Sequence, residues 1–378
     1  MEALFYVSAF LCVYSYFLYP LILMLLPVRK KSKNGAEEEG QFPLMSLIIS
    51  AYNEEEKIAG KLENTLEIEY PRDLLEIIVA SDGSSDATDS IVESFADRGV
   101  SLVRVEGHKG KDYAQQRGIQ ASNGAILVFS DVATQIPKDA FSALKSAFED
   151  ASVGAVSSED RFISHDGRLV GEGAYVRYEM WLRRLESDRA GVVGLSGSFF
   201  AARREVCEPW DALTDSDFNV ARNCARMGLV AISDPAVVGC YRDLKNPKQE
   251  YYRKVRTVIR GITAIPRHSW VLNPFRAGLF AFQVWSHKIM RWGVPWFMLV
   301  FAVATLMLQG QAMVYALALL AQVIFYSVAL AGWLSERMQQ NTIVRIVFYF
   351  VQTNLALAHA AVAFLSGKRM TAWNPTRR

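Results

Sequence analysis

The chain has 378 residues, 51% of them hydrophobic, and a formal net charge of only +2. So small an imbalance gives no electrostatic case for a nucleic-acid partner. Four cysteines (Cys12, Cys207, Cys224, Cys240) form no CxxC pair and no regular spacing, which argues against a disulfide framework or a zinc site and for reduced, buried thiols.

The first element is a charge-free run, Ala3 to Val28, ample for a membrane span of about 20 residues. No basic stretch precedes it and no small-residue cleavage site follows, so residues 1–28 read as a retained anchor rather than a signal peptide. Arg29, Lys30, Lys31 and Lys33 come directly after it and place the following chain in the cytosol. Residues 29–43 form a basic and polar linker that includes "KNGAEEEGQ".

Residues 44–245 have globular texture. The apolar runs "SLIISAY", "LEIIVASDG", "SLVRVE" and "AILVFSDV" alternate with helical patterns that begin at Glu54, Asp86, Lys109 and Pro137. Short strands alternating with longer helices imply βαβ units, an α/β fold and a mostly parallel sheet. Ligands of such sheets bind beyond the carboxyl ends of the strands. Asn53 and Glu54 follow the first run, Asp82 and Gly83 the second, and Asp131 the fourth. A lone Asp after a strand is usually a turn or helix cap; polar groups in register on several strands point instead to a binding edge.

Residues 246–291 read as basic and amphipathic interface helices. "YYRKVRTVIRG" carries Arg253, Lys254, Arg256 and Arg260, and the last two share one helical face suited to a diphosphate, to lipid headgroups, or simply to the membrane interface. "FRAGLFAFQVWSHKIMRW" mixes aromatics with sparse cations, His287 and Lys288 among them, as an anchoring helix does. His108 and His268 receive no role. In the membrane region 292–366, Trp292 to Leu334 is long enough to cross twice with a turn near Gln309 to Gln311, and Ile346 to Leu365 is a third candidate. Gln352, Asn354 and His359 in that candidate either bond neighbouring helices or line a path for a chain. A basic tail, 367–378, ends the chain. Four full spans would put the tail outside, against the positive-inside rule, whereas a last segment that re-enters or lies in the interface keeps it cytosolic; the second arrangement is the expectation.

In order, "SLIISAYNEEEKI", "IIVASDGSSDATDSI", "KGKDYAQQRGIQASNGAILVFSD" and "LTDSDFNVARNCARMGL" resemble family 2 of the glycosyltransferases, inverting enzymes of the GT-A fold that use nucleotide-sugar donors. "RKVRTVIRG", "LNPFRAGLFAFQVWSHKIMRW" and "TAWNPTRR" extend the likeness to membrane-embedded bacterial members that make cell-surface polysaccharides. The resemblance implies that Ala51, Tyr52, Asn53, Glu54 and Glu56 lie near the nucleotide and that Asp82 accepts from base or ribose. Lys111 of "KGK" precedes a helix, where cations and a helix N-terminus can meet the donor, although exposed lysines are equally ordinary; Arg256 and Arg260 are the other donor-side candidates. The resemblance implies that Asp131 holds Mg2+ or Mn2+ and the diphosphate. Many members carry a second acid two positions after the first; here that position is Ala133. Mg2+ retains waters and takes phosphate oxygens, so one carboxylate can suffice; cation-independent catalysis by basic residues is the alternative.

Within "TDSDF", Asp215 aligns with the family's general base, a simple helix N-cap being the competing account, and Asp217 is the next carboxylate, on the acceptor side. "GLSGSFFAARR", with Gly197 and Ser198, resembles the acceptor-side segment. The Gln-x-x-Arg-Trp signature of processive members is missing, which favours addition of one or a few sugars. The resemblance thus implies a membrane-bound inverting glycosyltransferase of the bacterial inner membrane, with a cytosolic catalytic domain, a UDP-sugar donor and a lipid-linked or saccharide acceptor. Its partners would be these substrates, membrane lipids and proteins of a synthase complex. A polyprenyl-phosphate glycosyltransferase, and a catalytically impaired nucleotide- or glycan-binding subunit, are the competing readings.

Overall fold

The computed structural model describes residues 1–32, 42–163, 174–242 and 247–368; the linker "KNGAEEEGQ" and "TAWNPTRR" fall outside them. The chain forms two compact units. One holds Pro27–Lys245 with Thr263–Phe280, and the other holds Met1–Leu26, Asn246–Ile262 and Ala281–Arg369.

The first unit is built on a seven-stranded sheet: β1 (Met45–Ala51), β2 (Leu75–Ser81), β3 (Val100–Arg104), β4 (Ile126–Asp131), β5 (Val153–Ile163), β6 (Phe199–Arg203) and β7 (Val230–Arg242), in the spatial order β3-β2-β1-β4-β6-β5-β7. β3, β2, β1 and β4 run parallel, as the alternation of runs and helices implies. β6 lies antiparallel between β4 and β5, and β5 pairs parallel with β7. Every residue of β1 is buried, as expected of a parallel strand covered on both faces. Met45, Leu47, Ile49 and Ala51 enter the core with Val128, Phe141, Leu144 and Val153. Ile48 points the other way, where a Cβ on Gly118 would come within 2.5 Å of its Cγ2. A glycine is therefore what lets the helix Lys111–Ala121 close on the sheet.

Register decides where the strands stop. Ala51 pairs with Ser81, and Ser50 with Asp131, so β2, β1 and β4 end level. Because the order reverses beside β1, this edge is the topological switch point at which α/β sheets bind ligands. β6 enters where β4 leaves, with Ser130 opposite Phe199, and so brings Gly197 and Ser198 to the same edge. The helices begin at Ile58, Thr88, Lys111 and Ala140, two to four residues after the starts the sequence pattern gives. The intervening residues are held in loops by hydrogen bonds from neighbouring segments.

The second unit contains apolar helices. Four helices are long and apolar enough to cross a membrane: Glu2–Leu25, Pro274–Met307, Met313–Leu334 and Thr342–Leu365. The second begins before this unit does and contains the stretch expected to form a separate interface helix. Phe5 packs on Phe301 and edge-on to Tyr315, both with ring centroids about 5 Å away. Gln309 ties the turn after Met307 by donating to the carbonyls of Thr305 and Tyr315. Two π-helical segments, Tyr14–Leu18 and Trp285–Ile289, meet through a hydroxyl contact of 2.9 Å between Tyr14 and Ser286. Lys254 donates to Thr353 at 3.3 Å, and the Tyr251 hydroxyl lies 3.2 Å from His359 Nδ1. Part of the basic helix Pro247–Arg267 thus bonds to the polar positions of the last helix.

Arg29 is fixed to the sheet unit. Its guanidinium donates to Asp150 at 2.7 Å, to Ser152 at 2.8 Å and to the Ser187 carbonyl at 3.2 Å. Partial burial raises the pKa of Asp150, but hydrogen bonds from Ser152, Arg29 and the Ser32 amide outweigh it and bring the value down to about 2. A carboxylate depressed on folding contributes stability that is present above its unfolded pKa, about 3.9, and is lost as pH falls through the folded value. Asp150→Asn is therefore expected to lose about 2 kcal/mol at pH 7. Melting curves should show that difference shrinking below about pH 4 and closing near pH 2; a pH-independent difference would remove the ion-pair account.

Candidate active site

The loop after β1 turns on Asn53, the sole non-glycine residue with positive φ (51°) among those described. Asn tolerates this conformation because its short polar side chain bonds locally. Here Asn53 Oδ1 accepts from the Ser85 amide at 2.8 Å, and the Asn53 amide donates to Ser84 Oγ at 3.2 Å. The Glu54 amide donates to Thr88 Oγ1, the Glu55 amide to Asp86, and Glu55 accepts in return from the Ala87 amide. The loops after β1 and β2 are therefore laced together. Glu54 is buried beside Lys57; burial pushes its carboxyl up, Lys57 opposes this, and Asp131 adds to it. Glu56 is exposed.

Asp82 is enclosed at the end of β2. Its oxygens accept from the amides of Lys109 (2.9 Å) and Gly110 (2.7 Å), and His108 Nδ1 lies 2.8 Å away. The His108 ring stacks on Tyr52 at 3.9 Å with 18° between planes. Asp82 thus fastens the segment 108–110 across the β1 and β2 loops. The close approach depends on Gly83: a Cβ there would lie 2.7 Å from the Gly107 carbonyl carbon, and φ is +73°.

Asp131, at the end of β4, lies within one cluster with Lys111 and the 197–198 backbone. Lys111, buried at the start of its helix, forms an ion pair with Asp131 Oδ1 and donates to the Gly197 carbonyl at 2.7 Å. The Asp131 amide donates to the Ser198 carbonyl at 2.9 Å. Behind the turn lies Lys61, buried, donating to Ser130 Oγ at 2.7 Å and to the Thr134 carbonyl at 2.6 Å. Burial lowers the Lys61 pKa to about 7, with Asp131 pulling it back up. The Ser196 and Ser198 hydroxyls donate to Asp160 Oδ1 at 2.6 and 3.2 Å, so Asp160 shapes the segment that holds Gly197.

Asp215 precedes the helix Ser216–Arg226 as its N-cap residue but makes no capping bond. The Ser216 amide donates instead to Asp112 Oδ1 at 2.9 Å. Asp217 accepts from its neighbour's amide, and its carbonyl accepts from the Leu195 amide at 3.3 Å. Trp210 Nε1 donates to the Asp112 carbonyl, and its ring stacks on Phe129, which stacks on Phe200. Asp211, held by His268 at 2.9 Å and by Arg267, anchors the stretch leading to Asp215.

The structure thus brings Ala51, Tyr52, Asn53, Glu54, Asp82, Lys111, Asp131, Gly197 and Ser198 to one edge of the sheet, and Asp112 ties the segment carrying Asp215 and Asp217 to the start of the Lys111 helix. Arg256 and Arg260 lie half-buried on the basic helix, in the other unit. Lys61, Asp112 and Asp160 were not singled out from sequence. The signal for Lys61 is a lysine on the buried stripe of Ile58, Leu62 and Thr65. Among the described residues, no group of three or more His, Cys, Asp or Glu is arranged to hold a metal ion. Asp131 can hold Mg2+ or Mn2+ only if other oxygens complete the shell, and donor phosphates are the natural source.

A mostly parallel sheet with carboxylates at its switch point, joined by an antiparallel strand that brings in a second loop, is the GT-A glycosyltransferase architecture. Residues 46–210 match the family described as Glycosyl transferase family 2. The chain is 29% identical over 187 residues to the probable glycosyltransferase YdaM of Bacillus subtilis, covering 46% of this chain and 44% of the relative. It is 26% identical over 190 residues to beta-monoglucosyldiacylglycerol synthase of Trichormus variabilis (48% and 41% covered). It is 28% identical over 182 residues to poly-beta-1,6-N-acetyl-D-glucosamine synthase of Staphylococcus epidermidis (46% and 43% covered). The matches thus span less than half the length of these relatives. In fold, it superposes on a mannosyltransferase from Pyrobaculum calidifontis, solved in complex with GDP-Man and Mn2+, with a TM-score of 0.71 at 22% identity over 97% of this chain and 99% of that one. Residues 46–210, a little under half of the chain, thus form a domain similar to family 2 of the glycosyltransferases.

Asp112→Ala would leave the Ser216 amide without its acceptor. The expected loss is about 1 kcal/mol of stability, as for other N-terminal helix caps, read by denaturant unfolding; an unchanged midpoint would show that water replaces the carboxylate.

Proposed function

We propose that this chain transfers one or a few sugars, with inversion, from a nucleotide-sugar to a hydroxyl of a lipid-linked or saccharide acceptor at the bacterial inner membrane, with the sheet unit in the cytosol. The observation that carries the reading is the pairing of Lys111 and Asp112. These adjacent residues bond, respectively, to Asp131 on the donor strand and to the Ser216 amide beside Asp215. One helix start therefore ties the expected leaving-group site to the expected base.

In this reading the nucleoside lies along Ala51, Tyr52, Asn53 and Glu54, with Asp82 holding the 108–110 segment against it, and the diphosphate lies at Asp131 and Lys111. Mg2+ or Mn2+, held by Asp131 and donor oxygens, would stabilise the charge that develops on the departing diphosphate. Asp215 takes the proton of the acceptor hydroxyl as the hydroxyl attacks the anomeric carbon from the face opposite the diphosphate. Asp112 relieves it of helix capping. Gly197 and Ser198, shaped by Asp160, border the acceptor. A UDP-sugar is the donor the family motifs suggest, while the structural neighbour was solved with GDP-Man; both belong in any panel. Four apolar helices and a relative named for glucosyldiacylglycerol synthesis support a lipid-borne acceptor.

The test is nucleotide release by the full chain, with a bacterial lipid extract, from UDP- and GDP-sugars. Asp215→Asn is expected to lower kcat by about 10²–10⁴-fold with melting unchanged, and EDTA to suppress release from the preferred donor. Release that survives the substitution, with product on a lipid phosphate, would replace this reading with a polyprenyl-phosphate transferase. Release that survives EDTA would remove the metal.

A further inference from the structure

We propose that Lys111 is a resident cation on Asp131: its ammonium occupies the carboxylate that a divalent ion needs, so Mg2+ or Mn2+ enters only together with a nucleoside diphosphate that draws the lysine away. This rests on the donor reading above. The lysine side chain is only 10% exposed and its two partners are the Asp131 carboxylate and the Gly197 carbonyl. A buried ammonium needs such partners, and a lysine that has them does not behave as a surface charge. Two residues on, where a second acid could assist, stands Ala133, and among the described residues no group of three or more His, Cys, Asp or Glu is arranged to hold a metal ion.

Lys61 strengthens the argument from behind. Its nitrogen bonds the Ser130 hydroxyl and the Thr134 carbonyl, the two sides of the turn that carries Asp131. A dication approaching Asp131 alone would meet the Lys111 ammonium directly on the carboxylate, on a turn that Lys61 holds in place from behind. A diphosphate changes this balance, because it brings negative charge and oxygen ligands at once. Lys111 is suited to the exchange: its three donors sit on a flexible four-carbon stem, so rotation of the side chain is enough to pass it from Asp131 to phosphate oxygens.

The experiment is Mn2+ binding followed by electron paramagnetic resonance on the detergent-solubilised full chain, with no nucleotide, with UDP and with GDP. Without nucleotide the wild type is expected to bind weakly, and Lys111→Met to bind on the order of tenfold more tightly, as expected for a coupling of ordinary size. Lys111→Arg should stay weak, and Asp131→Asn should abolish binding in both backgrounds. With a nucleoside diphosphate the wild type should gain affinity and exceed Lys111→Met. Equal or weaker Mn2+ binding by a folded Lys111→Met would overturn the proposal. Should that variant not fold, the wild type decides: Mn2+ affinity that is high without nucleotide and unchanged by it overturns the proposal too. If the nucleotide-free contrast holds while neither UDP nor GDP alters it, the lysine's hold on Asp131 stands and the donor reading falls.

Discussion

The level ending of β2, β1 and β4 is the constraint on which the rest depends. Parallel pairing in this register sets Ser81 beside Ala51 and Asp131 beside Ser50, and everything polar in the site is hung from that edge. A slip of one residue on β4 would turn Asp131 toward the opposite face of the sheet. The register is held by what lies on the two faces: Leu47, Ile49 and Val128 in the main core, and Gly118 against Ile48 on the other side. The geometry of this edge is thus a by-product of apolar packing several residues away.

Charge is arranged around that edge with few exposed groups. Asp82 is matched by two amides and a histidine, and Asp131 by one lysine in front and another behind the turn. The segment 108–111 serves both acids, so the two carboxylates most suited to a donor are held by one short stretch of backbone and side chain. Aromatic stacking of Phe200, Phe129 and Trp210 then joins the strand that bears Asp131 to the segment that leads to Asp215.

Much of this was legible in the sequence, for a physical reason. β1, β2 and β4 are apolar runs cut off by Asn, Asp or Glu, and a fully buried parallel strand must end where polar residues begin. Helix starts were less legible: Glu54, Asp86, Lys109 and Pro137 look like first turns, yet their segments are taken up by bonds between loops, which local propensity does not encode. Lys61 and Asp112 were hidden for a related reason. A lysine on a helix and an acid in a first turn are ordinary surface features until the fold supplies Thr134 and Ser216 as partners. The reversal at β6 has no periodic signature at all, since "SFFAAR" reads the same in either direction along a sheet.

That reversal also gives the site a birth order. Chains emerge from the ribosome N-terminus first, and contacts distant in sequence form slowly because a long loop must close before they repay it. Asn53 and Asp82 follow, and Asp131 ends, strands that can all pair before residue 199 has been made. The Ser198 carbonyl that accepts from the Asp131 amide, the Gly197 carbonyl that receives Lys111, and the helix behind Asp215 arrive later and are laid onto an edge already formed. The half that carries Asn53, Asp82 and Asp131 can therefore serve as the template on which the half that carries Gly197, Ser198 and Asp215 is assembled.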